Sequence, residues 1–451
     1  MKKSIGSGIW ALGSTLALVL LVGCGDGDQL SASPSAPGGG LSGGPLTETL
    51  TVLAVDSDSG EPIASATVWL GAGADAQLVG RTANDGKLTV TGMSGEPQFV
   101  TVSAPGYASA SWGLISAAVA TIPLEATNVD PGVASVTVSI PGWQDLPAPV
   151  EGKYRLARFA FSRPSGLNAL EASADLPLPE CRQSGRATSG CSVELSIPAD
   201  ATTVMAEIAE GDESGTSDES DDIFEMTGIG VATSLTFQAG TSSSVSIDLL
   251  DAAVTARANI VQRGPSSDIF QEVVGVPGIT LNGQLLLYPA LGGMSSSFLV
   301  PTADGVFSKV KLWAVATAAN ANSSDWSRSY ERGVPAPPDS SQAVTLSTTG
   351  FLGLPSVSEQ APARYTVSSS TGLNRLEFTT PDGQALNALL FQSQADFELP
   401  TGVLTAPPSN VSVEAFDWQL DPQSFTFHDL VRKTERIAYA RFAPLSETQT
   451  E

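Results

Sequence analysis

The stretch "VDSDSGEPIASATVWL", Val55–Leu70, decides how the chain is read. Asp56 and Asp58 stand two residues apart ahead of Gly60, which opens either a calcium loop or a turn with an acidic tip. An EF-hand loop needs oxygen ligands at positions 1, 3 and 5, glycine at 6 and a bidentate glutamate at 12. Counted from Asp56, position 5 is Gly60 and position 12 is Thr67, so the spacing fails. Past the turn "GEPI" (Gly60–Ile63), Ala66, Val68 and Leu70 alternate with more polar residues. Alternation of period two is the mark of a strand with one face on a core. The aspartates therefore read as a solvated turn leading into a strand, with no metal site.

The same alternation returns along the chain. "SVTVSI" (Ser135–Ile140), "CSVELSI" (Cys191–Ile197) and "SVSIDL" (Ser244–Leu249) each place apolar residues at every second position. Asn84-Asp85-Gly86, Asn282-Gly283, Asp304-Gly305 and Asp382-Gly383 punctuate it as expected hairpin turns, because glycine and asparagine tolerate positive φ. Amphipathic helices are scarce, "DLVRKTERIAYARF" (Asp429–Phe442) being the ambiguous case, and no internal sequence repeat stands out. The expectation is an all-β chain of tandem antiparallel β-sandwich domains. A composition with 42% hydrophobic residues is enough for several cores. Boundaries are placed at residues 46–127, 128–252, 253–350 and 351–451, the second unit carrying the loop of the expected disulfide and an acidic loop.

Two segments precede these units. Lys2 and Lys3 followed by the apolar run Ile9–Val22 form a targeting segment, residues 1–23, too short for a membrane span of about 20 residues. It ends in Leu21-Val22-Gly23-Cys24, which resembles the lipobox of bacterial lipoproteins. The alternative is an ordinary secretory signal with an incidental cysteine. The resemblance implies cleavage before Cys24, acylation of that residue, and a membrane as partner through the lipid. One acyl chain anchors marginally at about 0.8 kcal/mol per buried methylene, so two or three are needed for a stable hold. In Gram-negative lipoproteins an aspartate after the cysteine marks inner-membrane retention, so with Gly25 at that place the resemblance implies the outer membrane or cell surface as the location. Residues 24–45, rich in glycine, serine and proline, read as a flexible tether.

Cys181 and Cys191 flank a polar loop and are the expected disulfide of an exported protein, two free thiols being the alternative. Closing so small a loop contributes about 3 kcal/mol in the chain-entropy model. The formal charge of −25, from 47 acidic and 22 basic side chains, disfavours nucleic acid as a partner.

The turn and strand at residues 60–70, "GRTANDGKL" (Gly80–Leu88) and "VTVSAPGY" (Val100–Tyr107) follow one another in an order that resembles the carboxypeptidase regulatory-like domain, a transthyretin-like β-sandwich. The resemblance covers residues 46 to 125. In metallocarboxypeptidases this module accompanies a catalytic domain whose zinc is held by two histidines and a glutamate. This chain has a single histidine, His428, so that activity does not carry over and no cofactor or metal is expected.

Other chemistry is sparse. No G-x-S-x-G nucleophile elbow occurs, and His428 reads as a strand or surface residue. "GAGADA" (Gly71–Ala76) matches a dinucleotide fingerprint in form but leads into no helix, and reads as a hairpin loop. The stretch Glu207–Glu225 holds nine acidic residues and no basic one, as either a cation collector or, on like-charge repulsion, a mobile solvated loop. Among the tryptophans, Trp326 with Tyr330 in polar "NSSDWSRSYERG" is the candidate glycan-binding pair on an exposed loop, core packing being the alternative. Together these readings favour a non-enzymatic cell-envelope lipoprotein, a structural or adhesive scaffold. A carbohydrate-binding surface lipoprotein is the alternative, with an envelope polysaccharide or a surface protein as partner.

Overall fold

The computed structural model describes residues 39–57, 59–127, 132–164, 180–185, 189–212, 223–263, 270–281, 284–288, 297–320, 323–417, 423–427, 430 and 434–442. Cys24 with its leader, Asp58, Asn282-Gly283, Trp418, His428 and residues 213–222 of the acidic stretch lie outside these.

The chain is all-β, and its strands fall into four groups. The first holds β1 (Gly40–Pro45), β2 (Thr49–Asp56), β3 (Thr67–Leu70), β4 (Gln77–Arg81), β5 (Lys87–Thr91), β6 (Gln98–Ser103), β7 (Ser109–Ile115) and β8 (Ala117–Leu124). The second holds β9 (Val133–Ile140), β10 (Lys153–Phe161), β11 (Arg163–Pro164), β12 (Cys181–Ser184), β13 (Cys191–Pro198), β14 (Val204–Asp212), β15 (Ile223–Ala232) and β16 (Ser242–Ser246). The third holds β17 (Thr255–Arg263), β18 (Phe270–Leu281), β19 (Gln284–Leu287), β20 (Ser297–Pro301), β21 (Lys311–Asn320), β22 (Trp326–Pro335) and β23 (Ala343–Thr349). The fourth holds β24 (Ser356–Ala361), β25 (Arg364–Ser368), β26 (Leu373–Thr379), β27 (Ala385–Leu390), β28 (Gln394–Glu398), β29 (Asn410–Phe416), β30 (Phe425–Thr426) and β31 (Arg436–Phe442).

These groups repeat one topology. The three-stranded arrangements β5-β2-β8, β13-β9-β16 and β20-β17-β23 each put the group's first long strand in the centre. Its last strand lies on one side, in parallel, and an antiparallel partner lies on the other. The companion sheets β4-β3-β6-β7, β12-β10-β14-β15 and β19-β18-β21-β22 also share one order. The fourth group keeps that second order as β27-β26-β29-β31. In its other sheet, β24, which precedes the central β25, occupies the place of a following strand. The sequence shows no repeat because only the alternation recurs. Val136, Val138 and Ile140 in β9 and Val52 and Ala54 in β2 fill equivalent inward positions with different residues.

The units are not a simple string. A single 13-stranded sheet, β11-β19-β18-β21-β22-β31-β29-β26-β27-β7-β6-β3-β4, joins the third, fourth and first groups edge to edge. The first unit thus docks beside the last, through the parallel ladder Leu386↔Ser109 to Leu390↔Gly113. The third and fourth units bury one face of this sheet against their own second sheets, in cores that include Leu312 and Ala314, and Leu376 and Phe378. The first unit's β5-β2-β8 sheet packs on the opposite face, in a core that runs from Val68 and Trp112 to Trp313 and Leu285.

Several expectations change. Residues 40–45 of the expected tether form β1, which pairs with β8 and with β30, and Leu41 is buried. Gly39 and Gly40 permit this approach, since a Cβ on Gly40 would stand 1.9 Å from the carbonyl oxygen of Phe425. Asp304-Gly305 opens a short 3-10 turn, with the Gly305 N–H donating to the Asp304 carboxylate at 2.7 Å, and joins strands of different sheets. Asp382-Gly383 does close the β26–β27 hairpin. The ambiguous segment 429–442 is strand over Arg436–Phe442, where it continues the long sheet.

Candidate functional site

The residues singled out in "WSRSYERG" stand on β22, inside the long sheet and not on a loop. Strand alternation places Trp326, Arg328, Tyr330 and Arg332 on one face and Ser327, Ser329 and Glu331 on the other. The serines that suggest a polar loop are 0% and 2% exposed, because they face the core side of the sheet. In register with β21 stand Trp313 opposite Arg332, Val315 opposite Tyr330 and Thr317 opposite Arg328. On the other side Tyr439 of β31 stands opposite Trp326. The site therefore lies at the seam between the third and fourth units, on the face for which neither unit supplies a second sheet.

Aromatic rings and guanidinium groups alternate along this face. Trp326 stacks on Tyr439 with ring centroids 5.3 Å apart and planes 8° from parallel. The Arg328 guanidinium lies 4.1 Å from the Trp326 ring, and its Nε donates to Thr317 Oγ1 at 3.2 Å. With these two neighbours on it, the half-buried indole has little ring surface left for a sugar. Tyr330 is only 4% exposed. Burial pushes its phenol up to about 12 against the pull of Arg328 and Arg332. The expected pair of exposed aromatics is thus corrected to one stacked ring and one buried phenol. Deeper in the same face, Arg375 and Glu414 pair at 2.8 Å with side chains 11% and 9% exposed. At this depth each needs the other. Arg332 is half-buried over Trp313, its guanidinium 5.6 Å from that ring, and burial lowers it to about 10.

Of the residues on this face, Trp326 and Tyr330 were visible to sequence reasoning, whereas Trp313, Arg332, Arg375, Glu414 and Tyr439 were not. The period-two run of aromatic and arginine in residues 326–332 is the signal that identifies a strand face. Trp112 and Trp143 are core residues, and Trp69 is half-buried.

Elsewhere, Cys181 and Cys191 form a disulfide that links β12 of one sheet to β13 of the other within the second unit. The acidic stretch is not wholly a loop, because Glu207–Asp212 belong to β14 and Ile223–Glu225 to β15. Glu210 pairs with Arg155 at 2.6 Å. Glu207 is 2% exposed, and its Oε2 has no hydrogen-bond partner. Burial raises it to about 8 despite Arg158 opposite it on β10. No group of three or more His, Cys, Asp or Glu side chains placed to hold a metal ion occurs among the described residues. Among the same residues, no helix is long and apolar enough to cross a membrane. "GAGADA" joins antiparallel β3 and β4, and Gly73 packs against Glu398 of the fourth unit, where a Cβ would stand 2.2 Å from the carboxylate.

No family model and no curated protein matches the chain. Among solved structures, the Bacillus anthracis TIE protein is similar over 67% of this chain and 51% of its own length, with 9% identity and a TM-score of 0.15. The chain thus spans about half of that protein. A Bacteroides thetaiotaomicron protein described as polysaccharide-binding is similar over 43% of this chain and 78% of its own, with 12% identity and a TM-score of 0.15. BcpA, the major pilin subunit of Bacillus cereus, is similar over 78% and 95%, with 10% identity and a TM-score of 0.15. At these TM-scores the likenesses carry no argument about function.

Proposed function

We propose that this chain is a non-enzymatic cell-envelope lipoprotein, a structural or adhesive scaffold of transthyretin-like β-sandwiches held on a membrane by acyl chains on Cys24. One observation carries the reading: the long sheet that fuses the third, fourth and first units through main-chain ladders. Joined backbones resist hinge motion, whereas separate beads on linkers do not. Such a body suits presenting surfaces at a distance better than closing over a substrate. The carboxypeptidase regulatory-like resemblance of residues 46 to 125 supports a transthyretin-like first unit. The shared strand order extends that reading to the second and third units. His428 as the single histidine supports the non-enzymatic part, since general acid–base work at neutral pH most often uses that side chain.

The test is expression of the full chain and of Cys24→Ser in a diderm bacterium, with fractionation, labelled palmitate and surface proteolysis. The expected result is palmitate on the parent, its loss in Cys24→Ser with release into the soluble fraction, and surface exposure of the parent. A parent without lipid, or one retained in the inner membrane, sinks the anchored-scaffold reading.

A further inference from the structure

One face of the long sheet is covered only part of the way along. Ala388, Ser111, Thr101, Trp69 and Leu78 stand in register across β27, β7, β6, β3 and β4, so their side chains share that face. Ala388, Ser111 and Thr101 are 0% exposed, Trp69 is half-buried, and Leu78 is 63% exposed. The cover is the fourth unit's sheet β24-β25-β28, whose last strand sets Phe397 on Phe99 of β6 with ring centroids 6.2 Å apart. A further strand beside β28 would lie about 4.8 Å beyond it, toward Trp69 and Leu78. The upper layer stops short of the lower one.

The backbone of β28 is free to pair there. Its ladder to β25 runs unbroken from Arg364↔Glu398 to Ser368↔Gln394. At its two ends the Leu399 N–H donates to the Ala363 carbonyl at 2.9 Å and the Ser369 N–H to the Ser393 carbonyl at 2.8 Å. Bonded and unbonded pairs alternate in an antiparallel ladder, so the amides of Gln394, Asp396 and Glu398 face away from β25. Gln394 and Asp396 are exposed. Other edges of the molecule are guarded. β11 and β30 are two residues long, with Pro164 in the first, and β4 and β24 meet their neighbours across register shifts. β28 has five residues, no proline, no lysine and no shift.

One end of this edge is closed and acidic. Gly73, in the turn Gly71–Ala76, packs against the Glu398 carboxylate, and its carbonyl accepts from the Thr401 N–H at 3.2 Å. Arg364, opposite Glu398, is turned to Asp396 at 3.3 Å. Among the described residues no basic group pairs with Glu398 or with exposed Asp75 of the turn. We propose that the edge of β28 and the shelf of Trp69 and Leu78 bind an extended peptide of another protein, antiparallel to β28, with its free amino terminus at Glu398 and Asp75. Charge sets the direction. An antiparallel guest brings its amino terminus to the closed end, whereas a parallel one would bring a carboxylate against two carboxylates. Main-chain bonds supply the affinity, and alternate apolar side chains over Trp69 and Leu78 supply the selectivity. The shelf continues the fourth–first contact, in which β27 and β7 already pair. This inference goes beyond the scaffold reading and does not rest on the anchor.

The test is titration of the full mature chain with the peptide Val-Thr-Val-Thr-Val as its amide, against the same peptide acetylated at its amino terminus. The expected result is saturable binding, about tenfold weaker for the acetylated form. Hydrogen exchange should slow at the amides of Gln394 and Asp396, and stay as it was at Ala395 and Phe397. Glu398→Gln is expected to make the two affinities equal. Asp396→Pro removes an amide that β25 does not use and should abolish binding, while Asp396→Asn keeps it. Unchanged thermal midpoints confirm the folds. If Asp396→Pro does not fold, Leu78→Asp takes its place, with about a fivefold loss expected for both peptides. No binding of either peptide, equal affinities for the two in the parent, or binding that leaves exchange at Gln394 and Asp396 unchanged would overturn the proposal. So would a dimer of the chain that protects these amides without peptide, since the occupant is then a second copy.

Discussion

The fourth and first units meet in one way, and the second and third in another. At the fourth–first contact the sheets are continuous. β27 and β7 share a five-residue parallel register, and Trp112 sits among Phe391, Phe425 and Phe427 at centroid distances of 5.8 to 6.4 Å. At the second–third contact the sheets are stacked. Ala160, Met205, Met226 and Ile229 of the second unit complete the third unit's core, and among the described residues the strands of the two units pair over Arg163 and Pro164. Side chains do the joining here. Gln284 accepts from Thr202 Oγ1 at 2.6 Å and donates to the Asp200 carbonyl at 2.8 Å, and Glu207 is buried nearby without full compensation. A contact made of backbone ladders and apolar rings responds to volume. A contact made of side-chain polar groups responds to protonation.

The largest expected effect follows from that difference. Glu207 is held at about 8 in the folded chain, against 4.5 for an ordinary glutamate. Between these values the unfolded chain releases a proton that the folded chain keeps, so the unfolded state binds fewer protons and stability falls as pH rises. The contribution is fully present below about pH 4.5 and gone above about pH 8. At about 1.4 kcal/mol per pH unit this amounts to at most about 5 kcal/mol. Urea unfolding of the second–third transition across this window is expected to show the decline, and Glu207→Gln to flatten it and to stabilise the protein at pH 8. An unchanged slope in the variant would place the decline elsewhere.

The fourth–first contact should be blind to pH over the same window and sensitive to cavities. Trp112→Ala removes the ring at the centre of the aromatic cluster and is expected to cost about 4 kcal/mol, the usual scale for emptying such a site. Hydrogen exchange of the β7 and β27 amides is the direct measure. Loss of protection in β10 and β14 as well would mean that the two contacts are coupled and that the contrast between them is too sharp.

The alternation of Ser135–Ile140, Cys191–Ile197 and Ser244–Leu249 is legible because each has one face on the same core; the first two are strands of one sheet, and the third joins that sheet as β16 up to Ser246. The spacing of Cys181 and Cys191 is legible because a disulfide here needs only a short loop. Partnership between β7 and β27 is not, since residues far apart in sequence pair there without any turn to announce them. Nor is the true setting of Trp326 and Tyr330 legible. Their serine neighbours look solvated in sequence, yet a buried strand between two faces can carry small polar residues on one and rings on the other. The glycines at 39 and 40 look like tether for a related reason. Composition shows that a segment can be flexible, but not that two backbones need room to pass.

The disulfide sharpens the comparison from within one unit. It ties the edge strands β12 and β13 across the second unit's two sheets. Replacing both Cys181 and Cys191 by serine is expected to lower the stability of that unit by about 3 kcal/mol through the freed loop. Denaturant midpoints of the fourth–first transition should stay where they are. A common shift of both transitions would show that the four units unfold together.

The smallest effect is expected at Gly40, and it tests whether the fourth–first contact is a ladder to its edges. β1 enters between β8 and β30, and among the described residues β30 has no other strand partner in that sheet. The Phe427 N–H donates to the Gly39 carbonyl at 2.6 Å, so the glycine pair is where β1 grips residues 425–427. A methyl at Gly40 would overlap the Phe425 carbonyl and force the two strands apart, at about 2 kcal/mol on the scale of overpacked sites. The cost should be local. In Gly40→Ala, amides of residues 425–427 are expected to exchange faster while those of β26 and β29 do not, because Leu41 and the β1–β8 ladder can remain. If instead the whole fourth–first transition moves, β1 is a clamp on the body of the molecule. Tension on the segment before Gly39 would then load that contact first.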